Sequence, residues 1–154
     1  MKKIMFVCHG NICRSPTAEF IMKDIVRKAG KEQEYLIRSS ATSDEATGCH
    51  VYYPAQKELV RRGVPCDDRR AVRLKNEDYE KYDLFIVMDD RNYVNILKCF
   101  GGRDKDGKVK KLLDFTPEGG DIADPWYTDR FDVAFDEIER GCKALFLYLE
   151  ERFT

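Results

Sequence analysis

The 154-residue sequence lacks any apolar stretch long enough to span a bilayer. It also lacks an excess of either charge. Lys+Arg number 27 and Asp+Glu 28, a formal net charge of −1, so nothing in the balance draws the chain to nucleic acid or to a membrane surface. Neither Gly-Lys-Ser/Thr nor Gly-x-Gly-x-x-Gly occurs, which removes the two common nucleotide-phosphate loops. Histidine is scarce: only His9 and His50 are present, and both read as loop or packing residues. Six cysteines, at 8, 13, 49, 66, 99 and 142, have no metal-ligand spacing, so no metal and no cofactor are expected. Met1-Lys2-Lys3 and the apolar residues after it could open a secretion signal, but His9, Asn11 and Arg14 interrupt the run. The chain reads as cytoplasmic, and the basic clusters Arg69-Arg70 and Lys108-Lys110-Lys111 as solvated surface.

What is present is alternation of strand and helix. Lys3 to Cys8 reads as a buried strand, and Ala18, Ile21, Met22, Ile25, Val26 and Ala29 follow at helical spacing until Gly30. Tyr35 to Ser40 is a second strand. Pro54 opens a helix carrying Leu59 and Val60 that stops at Gly63. Leu84 to Met88 is a continuous apolar run of the kind found in central parallel strands. Asp89-Asp90 leads into a helix with Tyr93, Ile96 and Leu97; a last, shorter strand lies within Val109 to Phe115; Phe131 to Leu149 marks a long terminal helix. Residues 101–107 and 117–124 are loops. The expected fold is α/β: one domain over 1–154, an open, mostly four-stranded parallel sheet with helices on both faces. Ligands of such sheets bind beyond the carboxyl ends of the strands. Cys8, Ser39, Asp89 and Asp124 are all expected at that edge.

The decisive stretch is Cys8-His9-Gly10-Asn11-Ile12-Cys13-Arg14-Ser15, between the first strand and the helix opened by Arg14-Ser15-Pro16. Successive backbone N–H groups in such a turn form an anion-binding nest, and the helix start adds positive partial charge. Arg14 supplies a planar fork that matches phosphate two bonds at a time. Cys8 then stands as a nucleophile inside a phosphate-binding loop of His9, Gly10, Asn11, Ile12, Cys13, Arg14 and Ser15. That combination points to phosphate-ester chemistry through a covalent thiophosphate.

Val7-Cys8, Gly10-Asn11 and Cys13-Arg14-Ser15-Pro16 resemble the signature loop of the low-molecular-weight protein tyrosine phosphatases. Ser39-Ser40-Ala41-Thr42, Val87-Met88-Asp89 and Asp124-Pro125-Trp126-Tyr127 resemble three further segments of that family, in the same order. The resemblance implies a metal-independent phosphatase acting on a phosphotyrosine protein or a small aryl phosphate. Inorganic phosphate or vanadate would inhibit it, and it would work as a monomer. It implies Cys8 as nucleophile, Arg14 as phosphate clamp and Asp124 as general acid and base. Ser15 donates to the Cys8 sulfur, caps the helix, or does both. Asn11 either shapes the loop by hydrogen bonding, with Ser39 as its partner, or serves through its tolerance of left-handed angles. Ile12, Trp126 and Tyr127 line the substrate slot, although a lone tryptophan is as readily core. Cys13 is either a redox partner of Cys8 or a packing residue.

Two departures stand out. Glu45 takes the place of an aromatic on the opposite wall, for which Tyr52 or Tyr53 could compensate. The family's histidine before the third helix is absent, with Arg69-Arg70 near that point. The competing readings are a thioredoxin-coupled arsenate reductase, a protein arginine phosphatase and a non-catalytic phosphopeptide-binding module. The first needs two further cysteines close together, whereas Cys49, Cys66 and Cys99 are scattered; the second carries threonine at Ile12. The third has no need of Cys8 and Asp124 together.

Overall fold

Four parallel strands form the centre of the computed structural model, which describes residues 1–152; the last two residues of the expected 1–154 domain lie outside the described residues. The strands are β1 (Lys2–Cys8), β2 (Tyr35–Ala41), β3 (Leu84–Val87) and β4 (Val109–Lys111), in the order β2-β1-β3-β4. Cys8 pairs with Ala41, and Val7 with Val87, so the carboxyl ends of the three longer strands finish together. The helices are α1 (Arg14–Lys28), α2 (Tyr53–Arg61), α3 (Asp78–Lys81), α4 (Asp90–Cys99), α5 (Pro125–Thr128) and α6 (Phe131–Arg152). No helix among the described residues is long and apolar enough to cross a membrane.

Side-chain alternation along β1 divides the core. Ile4, Phe6 and Cys8 face a layer containing α1 and α6, with Ile21, Met22, Phe135, Ile138 and Leu145. Met5 and Val7 face the other layer, with Tyr79, Phe85, Val87, Ile96 and Phe100. A sheet buried on both faces explains the nearly unbroken apolar strands. Each fully buried Phe, Ile or Leu contributes roughly 1.5–3 kcal/mol relative to exposure. Gly141 permits the closest approach in the first layer: a Cβ there would lie 2.5 Å from Leu112 Cγ. Helix α1 tolerates Pro16 because its position in the first turn requires no intrahelical N–H. The helix ends at Lys28, and Gly30, φ +70°, turns the chain beyond it with its N–H reaching Arg27 O at 2.9 Å.

Three expectations change in detail. Val60, expected on the apolar face of α2, is 68% exposed, while Glu58 is buried and held by Arg61 and Arg62. Ser39 lies inside β2 rather than after it. Of the basic clusters, Lys110 is solvated, but Lys108 donates to Tyr79 O at 2.7 Å and Lys111 bridges Asp90 and Asp121. Arg69 departs furthest from its expectation: its side chain is 16% exposed and packs behind the loop after β1.

Candidate active site

Strand order reverses between β1 and β3, and the 8–14 loop leaves β1 at that switch point, where open α/β sheets bind ligands. The loop's carbonyls are tied to its outside. Cys8 O accepts from Thr42 N at 3.0 Å, His9 O from Ser43 N at 3.2 Å and Ser43 Oγ at 3.0 Å, and Ile12 O from Tyr52 N at 2.9 Å. Cys13 O accepts from Thr17 N and Oγ1, at 3.2 and 2.7 Å. A trans peptide sets the N–H of the next residue opposite each carbonyl. The amides of His9, Gly10, Cys13 and Arg14 therefore turn inward, and Asn11, at φ +59°, reverses the chain between the two pairs. A cavity of about 260 Å³ results, lined by Cys8 to Arg14 and closed by Glu45, Ala46, Asp124, Trp126 and Tyr127.

Arg14 begins α1 on the floor of this cavity with its side chain 3% exposed. Both hydrogens of Nη1 are used, on Asp89 Oδ2 and Ile122 O, each at 2.7 Å. The N–H groups on Nε and Nη2 remain, and Nη2 stands 3.5 Å from Asp124 Oδ2. Burial works against the Arg14 charge. The negative charge at Cys8, the hydrogen bond to Asp89 and the Asp124 carboxylate outweigh it and hold the guanidinium above the ordinary arginine value. Asp89 has a second task, since its Oδ1 caps α4 by accepting from Asn92 N at 2.7 Å. Asp124 is placed in the same way: Oδ1 caps α5 at Trp126 N, 3.1 Å away, which leaves Oδ2 toward Arg14.

Cys8 Sγ lies 3.0 Å from Ser15 Oγ. Helix α1 starts one residue before Ser15, and Cys13 holds the N-cap position without a side-chain cap bond. The capping alternative for Ser15 therefore fails, because its hydroxyl faces Cys8 and Asn11. Asn11 satisfies both of its readings: it is left-handed, and its Nδ2 donates to Ser15 Oγ at 2.7 Å and Ser39 Oγ at 3.0 Å. Cys13 is buried, and burial, then the charges of Cys8 and Asp124, push its thiol up to about 12.

The walls are asymmetric. Ile12 and half-exposed Trp126 line the cavity as expected, while Tyr127 reaches it with 82% of its surface exposed. Tyr52 does not form the opposite wall. Its ring packs 4.8 Å from Trp126 and 5.8 Å from Phe131, supporting the tryptophan from behind. Tyr53 points to solvent. The opposite wall is Glu45 and Ala46, with Glu45 2.8 Å from His9 Nε2. Three supporting contacts were not expected: Asp89, though placed at this edge, on Arg14, Glu19 on Ser39 Oγ at 2.5 Å, and Arg69 on Asn11 Oδ1 at 2.8 Å. Only Asp89 carried a local signal, as a helix cap.

A family model described as low molecular weight phosphotyrosine protein phosphatase matches residues 3–153. The chain is 31% identical over 153 residues to the low molecular weight protein-tyrosine-phosphatase YfkJ of Bacillus subtilis, covering 98% of this chain and 97% of that one. The crystal structure of YfkJ superposes with a TM-score of 0.96 at 30% identity, over 100% of this chain and 98% of that one. The fold is also similar to YwlE, an arginine phosphatase captured as a mutant with a phosphorylated active-site serine. That likeness has a TM-score of 0.84 at 28% identity and covers 96% of this chain and 95% of that one.

Proposed function

The chain belongs to the low-molecular-weight phosphotyrosine protein phosphatase family, and from that premise we propose that residues 1–154 form one phosphatase domain acting on phosphotyrosine in proteins or on small aryl phosphates. The observation that carries this reading is the meeting of Cys8, the inward amides, Arg14 and Asp124 at one cavity. The phosphate enters the loop, and its oxygens take the amide N–H groups and the open side of Arg14. The Cys8 thiolate attacks phosphorus as the P–O bond to the ring breaks. Asp124 gives its proton to the departing phenolate oxygen. A water molecule then attacks the thiophosphate and passes a proton to Asp124. The S–P bond breaks, inorganic phosphate leaves, and Ser15 Oγ donates to the returning thiolate. The phosphorylated serine recorded for YwlE supports a covalent step at the corresponding point of this fold. Phosphate and vanadate compete for the loop, no metal is required, and a monomer in a reducing cytoplasm keeps Cys8 reduced.

Ile12 and Trp126 favour a flat ring over a guanidinium. Kinetics on phosphotyrosine, phosphoserine and phosphoarginine side by side are expected to rank phosphotyrosine first. Ile12→Thr removes bulk from the loop's centre and is expected to raise the phosphoarginine-to-phosphotyrosine ratio of kcat/KM roughly tenfold. An unchanged ratio in a folded variant would place specificity elsewhere.

Peroxide is expected to inactivate the enzyme reversibly. The Cys8 thiolate is oxidised to a sulfenic acid, and the Cys13 sulfur displaces its hydroxyl as water to form a disulfide. Because burial holds the Cys13 thiol protonated, capture is slow and protection fails at high peroxide. Peptide mapping with and without reductant identifies the pair. If Cys13→Ser recovers as fully as the parent, Cys13 serves packing alone.

A further inference from the structure

We infer that Arg69 is a positioning residue that, together with the Val72 N–H, fixes the direction of the hydrogen-bond chain ending on the Cys8 sulfur, so that the Ser15 hydroxyl hydrogen is held on that sulfur. This deepens the reading above and rests on Cys8 being the nucleophile.

Arginine has donors only. Arg69 Nη2 lies 2.8 Å from Asn11 Oδ1, and the Val72 N–H lies 3.2 Å from the same atom. Two obligate donors on one end of an amide require that end to be the oxygen, which settles an orientation that side-chain shape alone leaves open. Nδ2 must then point the other way, and its two hydrogens go to Ser15 Oγ at 2.7 Å and Ser39 Oγ at 3.0 Å. Ser39 in turn donates to the buried Glu19 carboxylate, Oε1 at 2.5 Å. Ser15 Oγ has accepted from Asn11, so its own hydrogen is left for Cys8 Sγ at 3.0 Å. Were the Asn11 amide reversed, its oxygen would take the Ser15 hydrogen and the sulfur would lose its donor.

Arg69 is itself anchored. Nη2 reaches Ser39 O at 3.2 Å, Nη1 reaches Asn11 O at 3.5 Å, and Nε stands 3.4 Å from Glu19 Oε1. The charged and titratable groups facing it are Glu19 from α1 and Cys8 from β1, with Lys23 held on Glu19. Burial draws its guanidinium below the ordinary arginine value, and the charges of Glu19 and Cys8 oppose that. Arg69 does not line the cavity, so it touches no phosphate oxygen.

The test is a double-mutant cycle. Arg69→Met is expected to lower kcat on phosphotyrosine roughly tenfold to a hundredfold, leaving KM and competitive inhibition by phosphate unchanged. The pH at which iodoacetate inactivation reaches half its maximal rate moves upward in the same variant. In a Ser15→Ala background the Arg69 substitution has no further effect on either readout, because its route to the sulfur is already cut. Multiplying losses, an unmoved alkylation profile, or phosphate inhibition that weakens in step with kcat would each overturn the inference; the last is what loop collapse produces. If thermal denaturation shows Arg69→Met unfolded, Arg69→Lys enters the same cycle, since one ammonium cannot reproduce the contacts to Asn11 Oδ1, Asn11 O and Ser39 O. Phosphate-protected iodoacetate labelling of the unmodified enzyme tests Cys8 separately. Its absence would remove the underlying reading, whereas labelling with an additive cycle removes only the role of Arg69.

Discussion

Replacing Cys8 by serine is expected to abolish turnover, by on the order of 10⁴-fold or more, while phosphate and vanadate still bind. The two effects separate because different atoms produce them. In the proposed mechanism, oxyanion binding comes from the inward amides and from the Arg14 donors left free by Asp89 and Ile122 O. Bond-making is assigned there to one sulfur, with the Ser15 hydroxyl 3.0 Å away. A serine oxygen in its place is a poor nucleophile near neutral pH with no base beside it, and in a phosphorylated form it is a far poorer leaving group than a thiolate. Phosphate is expected to protect the parent enzyme from iodoacetate, since both occupy one cradle. Turnover of Cys8→Ser near the parent rate, or loss of phosphate binding together with activity, would remove Cys8 from the mechanism.

How much of this was legible beforehand depends on how local each cause is. The β1–α1 loop was readable because its residues are consecutive: a strand, a nest and a helix start need only their own spacing. The parallel sheet was readable because a strand covered on both faces must be apolar throughout, as Leu84 to Val87 is. Arg69 was not readable. Its neighbour Arg70 is exposed at the surface, and nothing in the pair distinguishes the arginine that folds back 58 positions to Asn11. The same holds for Glu19, which sits among helix residues of the usual kind yet is buried on Ser39. The slot's opposite wall was not readable for a further reason. Tyr52, expected as a possible opposite wall, stands behind Trp126 instead, because the side it occupies depends on where Phe131 packs, and that is a tertiary fact. Asp89 lay between these cases: its capping of α4 was local, and the second carboxylate oxygen that holds Arg14 was free to act because capping needs only one.

Asp124→Ala is expected to slow substrates with poor leaving groups by roughly 10²- to 10⁴-fold, while activated aryl phosphates lose far less. The asymmetry follows from proton demand. A phenolate such as that of tyrosine leaves readily only if it is protonated as the P–O bond breaks, whereas a strongly acidic phenol departs as an anion unaided. The geometry suits that role: Oδ1 is spent on the Trp126 N–H and Oδ2 faces the cavity 3.5 Å from Arg14 Nη2. The substitution also removes a cap from a four-residue helix that carries Trp126 and Tyr127, so a purely structural loss is the competing outcome. Asp124→Asn separates the two, because an asparagine side-chain oxygen still caps the helix but has no acidic proton to give. The expected result is that Asp124→Asn reproduces the leaving-group dependence of Asp124→Ala and leaves KM for the aryl phosphate near the parent value. Equal losses on good and poor leaving groups in both variants would assign Asp124 to holding the wall, and the proton would have to come from elsewhere.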